Sequence, residues 1–250
     1  MARGPKRKPT VSARTAGDPS WGVRLFGLAT VLAGVAWLPL QRAVLQHIST
    51  DVESSLALLG QGKAEAVIAQ LTSARTLSNW VLGAKHASNH VDLDYALGRA
   101  FMETNRTQDA AREFERVVAA EPRHWAAQAN LGSALFLLKN YSGALAAFQE
   151  SITAVEYMGS AVRPPLESAE ESPQAVLAEL YLQKGVVLLE LHPNRCAGAT
   201  CAEFAAQALR QAQILSPDLQ LATQLLVRAT TDLQSNAASS KEYIKALFDE

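Results

Sequence analysis

Most signatures of chemistry are missing from this 250-residue chain. It has only two cysteines, Cys196 and Cys201, and the four residues between them exclude a redox-active Cys-x-x-Cys pair. No Gly-rich phosphate loop, nucleophile elbow or His-Glu-x-x-His motif occurs, so no catalytic residue is assigned and no enzyme is expected. His86 and His90 stand i,i+4, yet Ser88 and Asn89 suggest a loop and no carboxylate accompanies them, so both are expected in solvent. Near the cysteines only His192 could add a ligand, too few for a metal, and no cofactor is implied. A basic stripe is also lacking. The formal charge of −1 divides into +4 on residues 1–20, from Arg3, Lys6, Arg7, Lys8 and Arg14 against Asp18, and −5 on the rest. A basic head on an acidic body argues against nucleic acid as a partner.

The head, residues 1–20, has no apolar periodicity and is expected to be disordered. Residues 21–40 carry one charge, Arg24, and as a helix would cover roughly 30 Å, the thickness of a bilayer core. Trp21 and Trp37 lie near the two ends, as interfacial aromatics do. Basic charge ahead of the span predicts a single pass with a cytoplasmic N-terminus and a translocated body. That topology fits the bacterial inner membrane with a periplasmic body, or alternatively the mitochondrial inner membrane. Two other readings stay open: a signal peptide cleaved after Gly34-Val35-Ala36, and an organelle transit sequence.

Beyond the span the periodicity is helical throughout. Leu40, Val44, Ile48 and Val52 share a stripe, Gly60-Gln61-Gly62 breaks it, and Val67, Ile68 and Leu71 face inward on a second helix. Residues 41–90 therefore read as a helical linker or degenerate capping repeat. Residues 91–158 then repeat at a spacing of 34: Leu97-Gly98 returns as Leu131-Gly132, Phe101 as Leu135, Ala110 as Ala144 and Phe114 as Phe148. That period describes helix–turn–helix units that stack to bury their apolar faces. The glycines admit a neighbouring helix, the alanines mark where paired helices cross, and the phenylalanines plug the core between repeats. Short polar turns are expected at Asn105-Arg-Thr and Asn140-Tyr-Ser. Residues 159–173 read as a linker. Residues 174–234 hold a divergent third unit, in which Gly185 and Ala205 stand eight residues further apart than Gly98 and Ala110. Its closing helix turns Leu221, Leu225 and Leu226 inward. Residues 235–250 form a tail whose Tyr243, Ile244, Leu247 and Phe248 could dock.

Leu-Gly, a large apolar residue, then Ala and Phe at these spacings resemble the tetratricopeptide repeat family, strongly over 91–158 and weakly over 174–234. The resemblance implies an all-α fold: a single transmembrane helix followed by a tetratricopeptide-type α-solenoid of antiparallel helix pairs. It also implies that the concave faces of the first helix of each pair hold a peptide segment or an amphipathic helix of a protein partner. Carried onto this chain, those faces present Tyr95, Arg99 and Met102 with Asp92 and Glu103. The second unit offers Asn130, Ser133, Phe136 and Leu137 with Ala126 and Ala129. The third offers Gln183 with Glu179, Leu182, Val186 and Glu190. The basic clamp of the chaperone-tail subclass is absent. Trp125 reads as packing. Cys196 and Cys201 are expected to form a disulfide if the body lies in an oxidising compartment. The function implied is a membrane-anchored scaffold that holds a partner during assembly of an envelope complex, of the secretion or cytochrome c maturation type. The alternative is a permanent subunit of a large membrane complex.

Overall fold

The computed structural model describes residues 20–82, 90–158, 172–191, 200–231 and 233–234, without the side chains of 20–37, 82, 158 and 200. Every described element is a helix: α1 (Ser20–Leu59), α2 (Ala64–Leu82), α3 (Val91–Glu103), α4 (Thr107–Ala120), α5 (Trp125–Leu137), α6 (Tyr141–Met158), α7 (Pro173–Leu191) and α8 (Thr200–Leu215). Residues 220–231 form a ninth helix, α9. The chain divides into two compact units, residues 1–43 and 44–250.

In the first unit α1 runs from Ser20 and carries Pro39 within it. Among the described residues no helix is long and apolar enough to cross a membrane. The span expected at 21–40 has its side chains outside the described residues as far as 37. The N-terminal head up to residue 19, the linker 159–171, His86, His192, Cys196 and the tail 235–250 lie outside them as well.

The second unit begins with a hairpin. The apolar stripe is buried from Val44 through Ile48 and Val52, whereas Leu40, expected on it, is exposed. Gly62, at a φ of 71°, supplies the left-handed residue that reverses the chain into α2. Gln70 then donates to Asp51 Oδ1 at 3.0 Å and to Ser54 Oγ at 3.1 Å, which sets the two helices antiparallel. From α2 to α8 each helix packs on the next in chain order.

The repeat is built on one contact. A Cβ placed on Gly98 would stand 2.6 Å from the Phe114 ring, and one on Gly132 would stand 2.9 Å from the Phe148 ring. Both rings are buried, as are Ala110 and Ala144 one turn earlier. The phenylalanines thus lock each helix to its own partner, and both belong to the single core cluster that runs through successive pairs. The third pair keeps this contact. Gly185 faces Leu209 at 2.7 Å, twenty-four residues away instead of sixteen; the connection between the helices grows from residues 104–106 to residues 192–199, and the remaining extra residues lengthen the helix ends on either side of it.

The helix ends repeat as well. Arg106 N–H donates to Phe101 C=O and Asn140 N–H to Leu135 C=O, each at 2.9 Å, closing Schellman-type ends. The left-handed residues are Asn105 (φ 58°) and Lys139 (φ 61°). The second turn therefore pivots one residue earlier than Asn140. α4 stops at Ala120 before Pro122, while α6, with no proline to end it, runs 18 residues against 14. On α9 the buried positions are Ala222 and Ala229. Leu225 and Leu226 pack partly against the core, whereas Leu221, expected inward, is exposed.

Candidate protein-binding surface

The first helix of each pair, α3, α5 and α7, carries the residues expected to meet a partner. Tyr95 is not presented to solvent: it is 5% exposed, with its ring 6.0 Å from Phe114 and 5.1 Å from His124. Asn130 spends its amide on the same residue, donating from Nδ2 to the Tyr95 hydroxyl at 3.1 Å. The pair is a bridge between successive first helices. Burial pushes the Tyr95 phenol up, and the Arg99 guanidinium, which also hydrogen-bonds it, works in the opposite direction. Ser133 donates to Ala129 C=O one turn back at 3.2 Å. Met102 and Phe136 are half-buried, and the Phe136 ring lies 5.6 Å from that of Tyr141. Ala126 and Leu182 are buried, so neither lines an open face.

What stays open is narrower than the sequence suggests. Leu137 is 58% exposed, and Leu138 beside it is exposed too. Two residues before Gly185, where Asn130 stands before Gly132, is Gln183. Its Nε2 donates to Glu179 Oε1 at 3.1 Å, but its Oε1 is buried and meets no hydrogen-bond donor among the described residues. An acceptor left so costs about 1–3 kcal/mol. Trp125 is buried as expected, and its C=O accepts from Ser151 at 2.8 Å. Cys201 is buried in the first turn of α8 and is not a free thiol. Among the described residues no three His, Cys, Asp or Glu side chains are placed to hold a metal.

The largest polar feature was not anticipated. Arg75 on α2 donates to Asp94 on α3 at 2.7 Å and, through both terminal nitrogens, to Glu113 on α4 at 2.6 and 3.1 Å. Arg116 adds a second cation to Glu113 at 2.8 Å. Both acids are buried, and burial raises the Asp94 carboxyl to about 6, outweighing Arg75, whose charge Glu113 shares. One signal for this was available: Asp92 and Asp94 lie about 200° apart on a helix, so both cannot face solvent on one side.

His90, expected in solvent, is half-buried at the start of α3, with Nε2 2.6 Å from Ser78 Oγ. Exactly one 34-residue period later stands His124, whose Nδ1 accepts from Ala127 N–H at 3.1 Å and caps α5. Burial lowers both imidazoles below their ordinary value; the charge on Arg75 adds to this at His90.

Stacked antiparallel pairs, each locked by a small residue against a large apolar one, define a tetratricopeptide-type α-solenoid. The tetratricopeptide repeat family model matches residues 95–159. Among solved structures the chain is similar to MamA (residues 41 to the end) from Desulfovibrio magneticus RS-1, at 18% identity and a TM-score of 0.54, over 81% of this chain and 96% of that one. A further MamA crystal structure matches at 18% and 0.54 over 80% and 90%, and MamA MSR-1 at 15% and 0.53 over 80% and 94%. At these identities the likeness is one of fold. No curated protein sequence matches the chain.

Proposed function

We propose that the repeats hold a segment of another protein, and that residues 21–40 tether them to a membrane while an envelope complex is assembled. Stacked helix pairs of this class make extended binding surfaces. The observation that carries the reading is Gln183 Oε1, a buried acceptor without a donor on the third first-helix. A backbone or side-chain N–H of a partner supplies what the fold withholds. The exposed Leu137 and Leu138 add apolar contact. The tether is supported by the single charge in residues 21–40 and by a helix that starts at Ser20. In this reading the body stands in an oxidising periplasm, with Cys196 and Cys201 paired across the inserted turn. The reading assigns the chain no turnover chemistry.

Gln183→Leu tests the site in the full chain. Removing the amide leaves no unpaired acceptor, so the melting temperature holds or rises while partner recovered on co-purification falls about tenfold, a loss of roughly 1.4 kcal/mol. Unchanged recovery would falsify the assignment. Protease added to spheroplasts should clip the body, and survival of the body there argues against the topology. A second reading, a permanent subunit, is favoured by the large apolar side chains that α8 and α9 expose: Phe204, Ile214 and Val227. Co-purification at a fixed ratio through high salt would select it.

A further inference from the structure

Two of the seven asparagines, Asn105 and Asn140, begin an Asn-x-Ser/Thr triplet with no proline at its centre: Asn105-Arg106-Thr107 and Asn140-Tyr141-Ser142. That triplet is the acceptor sequence for N-linked glycosylation, a modification of surface loops in translocated proteins. The triplet alone does not select a site; the surroundings of each asparagine do. Both residues are exposed, one in the α3–α4 turn and the other in the α5–α6 turn.

The first turn leaves its asparagine free. Asn105 stands at a φ of 58°, and its backbone N–H donates to Met102 C=O at 3.1 Å. Its side-chain amide has no hydrogen-bond partner among the described residues, and neither has the hydroxyl of Thr107, which opens α4. The long side chain between them is held elsewhere: Arg106 lies over the Phe101 ring at 4.5 Å and pairs with Asp109 at 2.7 Å. The second turn consumes its asparagine. Asn140 Oδ1 accepts from Gly143 N–H at 3.2 Å and from Ser142 Oγ at 3.3 Å, which caps α6 with the triplet itself. Its Nδ2, the atom that takes a sugar, lies against the same turn, since a Cβ on Gly143 would stand 2.8 Å from it. Leu137 and Leu138, the exposed pair assigned to a partner, stand just before it, where a glycan would cover them.

We propose that Asn105 is an acceptor for an N-linked glycan and that Asn140 is not. The inference rests on the translocated body of the reading above, and its co-substrate is a lipid-linked oligosaccharide diphosphate. In the transfer, Asn105 Nδ2 bonds to the anomeric carbon of the sugar as the bond from that carbon to the diphosphate oxygen breaks. The lipid diphosphate leaves with the electron pair, and the amide gives up one proton. The free Thr107 hydroxyl, both donor and acceptor, is the group by which a transferase reads the triplet. A glycan on Asn105 displaces no side-chain hydrogen bond of the fold, whereas one on Asn140 removes a helix cap.

The test uses the full chain with Asp-Gln-Asn-Ala-Thr appended after Glu250 as a reporter. It is produced in cells whose oligosaccharyltransferase faces away from the cytoplasm, and its tryptic peptides are read by mass spectrometry. The expected result is a glycan on the reporter and on peptide 100–106, with the peptide that begins at Asn140 bare. Asn105→Gln should lose the second glycan and keep the reporter's. Because that variant also strains a left-handed turn, Thr107→Val, which leaves Asn105 in place, should lose the same glycan, and Thr107→Ser should retain it. A glycosylated reporter beside a bare peptide 100–106 overturns the acceptor and leaves the translocated body standing. Equal occupancy at Asn140, or a glycan that survives Thr107→Val, overturns it as well. A bare reporter overturns the translocated body and this inference together.

Discussion

Residues 44–158 and residues 173–231 use the same helix-pair contact but seal their joints with different materials. In the first region the core contains Phe101, Phe114, Trp125 and Phe148, and polar side chains are pinned within it. Among the described residues, the polar and charged side chains that are buried as a whole, from Ser55 to Ser151, belong to that region. In the second, the core cluster beneath α8 and α9 is built from buried leucines and alanines, with Tyr181 packed against it and Cys201 buried in the first turn of α8. The difference teaches what a repeat needs. A small residue facing a large apolar one suffices to pair two helices, as Gly185 and Leu209 do across a lengthened turn. Buried hydrogen bonds and ions do something else: they fix which helix sits where, because a misplaced one strands a charge.

Four expected outcomes would break or sharpen this contrast. The largest is at the ion cluster. Arg75→Met leaves Asp94 and Glu113 buried side by side without their shared cation, and should cost about 3 kcal/mol by urea denaturation. No polar substitution in α8 or α9 should approach that. Next is the pairing contact itself. Gly98→Ala drives a Cβ into a rigid ring and should cost about 2 kcal/mol, whereas Gly185→Ala meets a leucine able to change rotamer and should cost roughly half of that. Adding Phe114→Leu to Gly98→Ala should recover part of the loss; a strictly additive double mutant would show that ring rigidity is not the cause.

A smaller effect belongs to the bridge between first helices. Tyr95→Phe removes the acceptor of the Asn130 amide and should cost about 1 kcal/mol, with partner recovery unchanged. The smallest concerns pH. His90 and His124 have folded pKa values below their ordinary one, so their contribution is full above about pH 6.5 and drains as pH falls below it. Asp94, raised to about 6, has the opposite sign: its contribution is full below about pH 4 and is lost as pH rises through 6. His124→Asn keeps a capping acceptor that does not titrate. It should flatten the decline in melting temperature between pH 7 and 5, by less than about 1 kcal/mol. An unaltered decline would place the titration elsewhere.

Much of the fold could be read before any coordinates. Gly98, Gly132, Phe114 and Phe148 stand at a fixed spacing on continuous helices, so their pattern is a local property that periodicity exposes. The eight-residue insertion was legible for the same reason, because Gly185 and Ala205 kept their types while their separation grew. The surroundings of the residues expected to meet a partner were legible only in part. Tyr95 and Asn130 have the right positions on their helices, but each satisfies the other across 35 residues. Arg75 carries no signal in its own helix, because the two acids that hold it come from α3 and α4.

By itself, then, the order of residues determined that helices form, that they pair, and which side of each pair is apolar, since those follow from spacing along one chain. Only the packed structure decided which polar groups are consumed within the fold and which remain for a partner. A hydrogen bond between helices depends on distances of about 3 Å, which no sequence separation specifies.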